Sequence, residues 1–198
     1  MKAKTILILL GLLALWGAES KAIIFGIRFS DGRQQALPGI GDTGPKGRFG
    51  AYVGTRQKNS ILLLGADYDR YKLSRPDSLL YSRRLTVNVG YRYQLLEPDK
   101  AKAMSFMPFL ALHYFKSFSK VSADSTVMSP ADRRYYQDLS NDGGVWGAVG
   151  AEYFFAPVFS LGCEAGLRYS TAKSKAYGYE TKLSQFTSYV ALLASFYW

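Results

Sequence analysis

From Ile23 to the last residue, apolar and polar side chains alternate with a period of two rather than 3.6, in segments separated by turn-forming stretches. Segment 158–170 shows the pattern best: Phe159, Leu161, Cys163, Ala165, Leu167 and Tyr169 alternate with Ser160, Gly162, Glu164, Gly166 and Arg168. Segment 82–94 repeats it, with Leu85, Val87, Val89, Tyr91 and Tyr93 against Arg84, Thr86, Asn88, Gly90 and Arg92. Successive side chains of a strand point to opposite faces, so each segment reads as a strand with one apolar and one polar face. Strands are predicted over 23–30, 47–55, 60–71, 82–94, 103–115, 144–155, 158–170 and 184–198.

The connections alternate in length. Long stretches cover 31–46, 72–81, 116–141 and 171–183, whereas 56–59, 97–100 and 156–157 are short. This predicts an all-β fold, an eight-stranded antiparallel up-and-down transmembrane β-barrel with short turns on one rim. Loops near Pro38, Ser74, Ser125 and Ser174 then face the cell exterior, and Lys58, Asp99 and Pro157 the periplasm.

A soluble secreted barrel would alternate equally well, so three further features orient the faces. The charges on the polar face are Arg28, Arg48, Asp67, Asp69, Arg84, Arg92, Glu152, Glu164 and Arg168, while the lysines fall in loops or near strand ends. A confined interior favours the guanidinium, whose planar fork pairs with carboxylates. Gly26, Gly50, Gly54, Gly65, Gly90, Gly150, Gly162 and Gly166 share that face, making room in a barrel just wide enough for side chains. On the apolar face, Phe29, Phe49, Tyr68, Tyr114, Tyr169 and Phe186 lie near one end, and Phe25, Tyr93, Phe106, Tyr153, Phe155, Phe159, Phe196 and Trp198 near the other. Two aromatic girdles around an aliphatic band are what two membrane interfaces select.

The N-terminus changes the picture once more. Lys2 and Lys4 precede an apolar run from Ile6 to Trp16 and a small, polar stretch to Ala22, which reads as a secretory signal peptide over 1–22 cleaved after Ser20 or Ala22. The run is about half the ~20 residues a membrane-spanning helix needs. The barrel takes the remainder, 23–198. The chain carries a formal charge of +10 and a pI of 9.6, but an exported barrel would not meet nucleic acid. One cysteine, Cys163, offers no intramolecular disulfide, and one histidine with one cysteine makes no metal or cofactor site.

At the C-terminus Val190, Leu192, Ala194, Phe196 and Trp198 place apolar residues at every second position and end on an aromatic. This resembles the insertion signal of outer-membrane β-barrel proteins. The stretch from Ile23 to Trp198 resembles the superfamily of small eight-stranded barrels containing the OmpA transmembrane domain and OmpX. Its Tyr-rich strands and basic loops are similar to the outer-membrane β-barrel domain proteins of Bacteroidetes-like bacteria. The resemblance implies a bacterial outer-membrane location, delivery by the barrel-assembly machinery, contact with outer-membrane lipid and lipopolysaccharide, and a monomer.

Three functions compete. A non-enzymatic barrel would use its paired interior charges for closure and serve envelope integrity or surface-loop binding; a narrow porin-like channel would line a solute path with the same charges; a lipid A-modifying enzyme would use His113 with Ser117, Ser119, Asp67 or Asp69. The enzyme reading is the weakest, because a deacylase-like motif calls for Ser two positions after the histidine, where Phe115 stands. A histidine hydrogen-bonded in the interior is expected instead. Lys120, Arg133, Arg134, Tyr135 and Tyr136 in the 116–141 loop form the candidate surface for lipopolysaccharide or an extracellular ligand. Some residues fit the pattern poorly. Ile24, Met107, Phe109, Trp146 and Phe154 fall on the inward face, and Pro108 interrupts the fifth strand, so a bulge or local apolar plug is expected there.

Overall fold

The computed structural model describes residues 22–32, 46–75, 78–96, 105–123 and 129–198. The expected signal peptide lies almost wholly outside the described residues, as do Pro38, Asp99 and Ser125. Eight antiparallel strands follow one another around a closed barrel: β1 (Ala22–Gly32), β2 (Lys46–Gln57), β3 (Ser60–Arg75), β4 (Ser78–Gln94), β5 (Ser105–Ala123), β6 (Gly143–Ala156), β7 (Phe159–Ser174) and β8 (Thr181–Tyr197). One helix, α1 (Pro130–Ser140), interrupts the series between β5 and β6. The seam closes by pairing β1 with β8, and Ile23 and Trp198 exchange both backbone hydrogen bonds at 2.9 Å. Closure leaves no sheet edge, which a backbone in lipid requires.

The faces are those the alternation predicts. Phe25, Ile27, Phe29, Leu85, Leu161, Leu167, Val190 and Leu192 are exposed on the outside, and Arg28, Arg48, Arg84, Arg92, Arg168 and most of the glycines named above point inward. Three consecutive leucines, Leu62-Leu63-Leu64, leave the phase of the third strand open by one residue in the sequence, and the structure places Leu63 inside. The girdles are formed by register. Phe29, Phe49 and Tyr68 stand side by side on β1, β2 and β3, and Tyr169 faces Phe186 across β7 and β8. At the other rim Phe25, Phe196 and Phe159 form a row across β1, β8 and β7.

Of the bulge or apolar plug expected at Pro108, the structure has the plug. No register shift occurs at Pro108, which stands opposite Ala151 while its carbonyl accepts from Leu95 N at 2.9 Å; the irregularity lies in β6, between Phe154 and Ala156. The apolar plug lies on the inward side, where Met107 and Phe109, which flank Pro108, are buried inside the barrel with Ile24, Ile61, Leu63 and Phe154. Burying each such side chain contributes roughly 1.5–3 kcal/mol.

Most of the described part of the 116–141 stretch is strand or helix, not the loop that the sequence predicts. Its first part continues β5 to Ala123, and its last part is α1. The strands likewise run on past the predicted ends at 71, 170 and 184. Beyond the girdle the outward face carries exposed polar residues such as Lys120, Lys173 and Lys182, so the apolar and polar alternation fades in the sequence although the backbone ladder continues. The helix did carry a signal. Ser129 caps it, accepting from Asp132 N at 3.1 Å, with Pro130 in the first turn and Asp132 reciprocating by accepting from Ser129 Oγ at 2.6 Å.

Candidate functional site: barrel interior and outer rim

The inward charges sort into layers. At the level of the plug, Glu152 on β6 accepts from Arg92 Nη1 at 3.0 Å, Ser195 Oγ at 2.6 Å and Tyr197 OH at 2.7 Å, with Ser160 Oγ at 3.3 Å. Tyr52 in turn hydrogen bonds Ser195 at 2.7 Å, and the Arg92 guanidinium lies over the Phe109 ring at 4.2 Å. Arg92 and Glu152 are excluded from solvent.

The middle layer centres on Arg28, which donates to both carboxylate oxygens of Asp67, at 2.8 and 2.6 Å from Nη2, and lies 3.9 Å from Glu164. Asp67 also accepts from Asn88, and Glu164 accepts from Tyr189 OH at 2.5 Å. Arg28 sits over the Trp146 ring, whose indole stacks on His113 at 4.5 Å between centroids. Here the hydrogen-bonded histidine expected from the sequence is corrected: neither ring nitrogen of His113 has a hydrogen-bond partner among the described residues. The imidazole fills the space opposite Gly90, where a Cβ would meet Nδ1 at 2.1 Å. Ser117 bonds Thr86 at 3.0 Å and Ser119 bonds the Ser140 carbonyl, so neither serine is brought to His113.

Near the outer rim, Asp69 bridges Arg48 at 3.2 Å and Arg84 at 3.1 Å. Arg168 does not reach a strand glutamate. It pairs with Asp142 at 3.0 Å, and Asp142 also lies 3.9 Å from Arg84. Asp142 sits between α1 and β6, outside the period-two pattern, so alternation could not reveal it. Burial pushes its carboxyl upward, but Arg168 and Arg84 more than offset this and hold it below the usual range. With Asp142 included, each of the five interior arginines has a carboxylate within 4 Å.

Outside the lumen, α1 packs on β5 and β7 above the level where β6 begins. Leu139 is buried there with Val121 and Ala172. Ser174 Oγ donates to Asp138 at 2.9 Å, and Lys116 Nζ to the Asn141 carbonyl at 2.7 Å. A cavity of about 380 Å³ lined by Lys116, Asp138, Asn141, Thr171, Ala172 and Lys173 opens beside these contacts. Tyr177, in the β7–β8 turn, donates to Asp132 and packs its ring 5.3 Å from Tyr135, which meets Tyr136 at 5.6 Å. Of the candidate surface residues, Arg133, Arg134, Tyr135 and Tyr136 lie on α1, whereas Lys120 is on β5 and separate from them.

The whole barrel, with its closed order and its girdles, can be compared with solved structures. OprG of Pseudomonas aeruginosa superposes with a TM-score of 0.54 at 13% identity, over 92% of this chain and 97% of that one. Neisserial surface protein A gives 0.46 at 13% identity over 89% and 94% of the two chains, and the N-terminal barrel domain of P. aeruginosa OprF gives 0.44 at 8% over 89% and 98%. This chain has the fold of the small eight-stranded outer-membrane barrels. No family model matches it, and no curated protein is similar to it in sequence.

Within that barrel, sequence reasoning found the interior arginines and carboxylates but missed their phenolic partners. Tyr52, Tyr189 and Tyr197 sit on the polar side of strands β2 and β8 and point inward. Their signal was available: an aromatic out of phase with its strand's apolar face, placed where its hydroxyl can meet a glutamate.

Proposed function

We propose that this protein is a non-enzymatic outer-membrane barrel whose interior is closed by paired charges and whose outer rim, built from α1 and the β7–β8 turn, serves envelope integrity and surface binding. One observation carries the reading: the side chains that would wall a pore are sealed from solvent. Arg92 is 1% exposed, His113 1% and Glu152 0%. A water-filled path would wet them. The chemistry supports a role for the rim as well, because long connections on a rigid scaffold carry recognition. There Tyr135, Tyr136, Tyr177 and Tyr179 gather beside the basic Arg133 and Arg134.

Planar-bilayer recording of the refolded protein tests the closed interior. No stable unitary steps are expected; reproducible steps would replace this reading by the pore. In a Cys163→Ser background, maleimide applied to whole cells should label Arg134→Cys and leave Pro157→Cys unlabelled. The reverse would invert the orientation.

A further inference from the structure

β6 begins at Gly143, whereas its neighbours β5 and β7 run on to Ala123 and Ser174. Above Gly143 the place of a strand between them is taken by α1, which packs on both. The replacement leaves a notch, the cavity of about 380 Å³ that Lys116, Asp138, Asn141 and Lys173 help to line. Small-molecule sites usually enclose about 300–1,000 Å³. Register fixes the height of the notch on the barrel. Lys116, Gly143 and Thr171 lie side by side on β5, β6 and β7, one outward position beyond Tyr114, Val145, Tyr169 and Phe186 in the outer girdle. The notch therefore sits at the level of lipid headgroups, directly over a surface that faces acyl chains.

Its chemistry is divided. On the strand side are two ammonium groups. Lys116 Nζ gives one of its three protons to the Asn141 carbonyl at 2.7 Å. Lys173 pairs with Glu180, but their side chains are 60% and 41% exposed, so water already competes and the contact costs little to exchange. On the helix side, Asp138 uses one oxygen for Ser174 Oγ at 2.9 Å, and Asn141 uses Oδ1 for Ser119 N at 2.5 Å. The second carboxylate oxygen can accept and the Asn141 amide nitrogen can donate, while the carbonyl end of α1 adds partial negative charge.

We infer that the notch holds the phosphorylated sugar headgroup of an outer-leaflet glycolipid. Its phosphate lies against Lys116 and Lys173, its sugar hydroxyls against Asp138 and Asn141, and its acyl chains descend over Tyr114, Val145 and Tyr169. The site deepens the surface-binding reading above and rests on it. A bare phosphate would be repelled by Asp138 and the carbonyl end of α1, and an uncharged sugar would leave both ammonium groups unanswered. A headgroup with both kinds of group satisfies each side. A lipid rather than a soluble phosphosugar is the occupant because the girdle adjoins the notch and receives the chains.

The test uses the full barrel refolded into phosphatidylcholine vesicles containing bisphosphorylated lipid A, its dephosphorylated form or phosphatidylglycerol. Lipid retained by the detergent-extracted barrel is read by native mass spectrometry. Wild type should retain bisphosphorylated lipid A in preference to both other lipids. Each basic side chain near an anionic headgroup is worth about fivefold in affinity, so K116Q/K173Q should lose on the order of 20-fold. R83Q/K120Q removes as much charge from the same end of the barrel outside the notch and should behave as wild type. T171W keeps every charge but fills the notch, and should lose the lipid as well; it carries the test if K116Q/K173Q yields no heat-modifiable folded barrel. D138A should narrow the preference for lipid A over phosphatidylglycerol. Equal retention by wild type and T171W, a loss in R83Q/K120Q as large as in K116Q/K173Q, or equal retention of phosphatidylglycerol and lipid A by wild type overturns the proposal. Displacement by millimolar glucosamine phosphate would show a soluble phosphosugar site and overturn it too. A wild-type chain that inserts and retains no lipid A sinks the site alone, whereas whole-cell labelling of Pro157→Cys instead of Arg134→Cys sinks the orientation on which it rests.

Discussion

Glu152 receives Arg92 at 3.0 Å from two strands away, across the ring of Phe109 on the strand between them. Both ions are cut off from water, and Ser195 and Tyr197 from β8 complete the carboxylate's shell. Removing one partner of such a pair leaves the other charged and unsolvated. Glu152→Ala should therefore cost about 3–5 kcal/mol, read as a lower unfolding midpoint in detergent. Glu164→Ala should cost less, about 1–3 kcal/mol, because Arg28 keeps its double contact with Asp67. Equal losses would mean that the two glutamates share one network.

Gly90 and His113 face each other across β4 and β5, and the imidazole occupies the space of a Cβ. Gly90→Ala should destabilise the barrel by about 1–3 kcal/mol through overpacking. His113→Ala in the same chain should recover part of that loss. A double-mutant cycle with no coupling would show that His113 moves aside freely.

The last three residues close the seam on both sides. Phe196 packs 5.0 Å from Phe159 and stands opposite Phe25, and Tyr197 supplies a hydroxyl to Glu152. Deleting 196–198 should abolish the heat-modifiable folded form in membranes. Trp198→Lys, which keeps the backbone exchange with Ile23, should lower its amount. Unchanged levels in both would show that closure does not depend on this end.

Asp132 links α1 to the β7–β8 turn. Hydrogen bonds from Ser129 and Tyr177 hold its carboxyl below its ordinary value, and the same contact pushes the Tyr177 phenol up to about 12. A depressed carboxyl contributes above its ordinary pKa and loses that contribution as pH falls through the folded value. A raised phenol contributes below its ordinary pKa and loses it as pH rises through about 12. The tether should therefore persist across neutral pH and release at both extremes. Amide hydrogen exchange in α1 should rise below the usual carboxylate range, and Asp132→Asn should return the Tyr177 titration toward that of an ordinary tyrosine. Exchange in α1 that ignores both pH and Asp132→Asn would remove the tether from the account.

The barrel was legible in the sequence because lipid enforces a strict rule: along β4 and β7 every second residue had to be apolar, and the remainder had to fill a narrow interior. The residues that broke the rule were informative too, since Phe109 and Phe154 marked the plug. What escaped was whatever the rule does not govern. Asp142 enters the charge network from a connection, α1 depends on a cap rather than a stripe, and the pairing of Arg168 with Asp142 depends on where that connection returns. Partner choice among the interior ions required the register and could not be read from composition. The notch below α1 was hidden for the same reason, since Lys116 and Lys173 are far apart until β5, β6 and β7 are paired.

β5 has 19 residues and β4 has 17, whereas a tilted strand needs about 9–11 to cross the hydrocarbon. A single strand thus passes through two solvents, oil below and water above, and identical outward positions answer to different chemistry according to height. A lysine placed at Leu112 or Val149 would enter hydrocarbon at about 2–4 kcal/mol if near the midplane, while close to the interface the toll falls to about 0–1 kcal/mol. Charge scanning down one face of β5 would consequently work as a depth gauge, and the position where the cost falls away marks the waterline of the barrel.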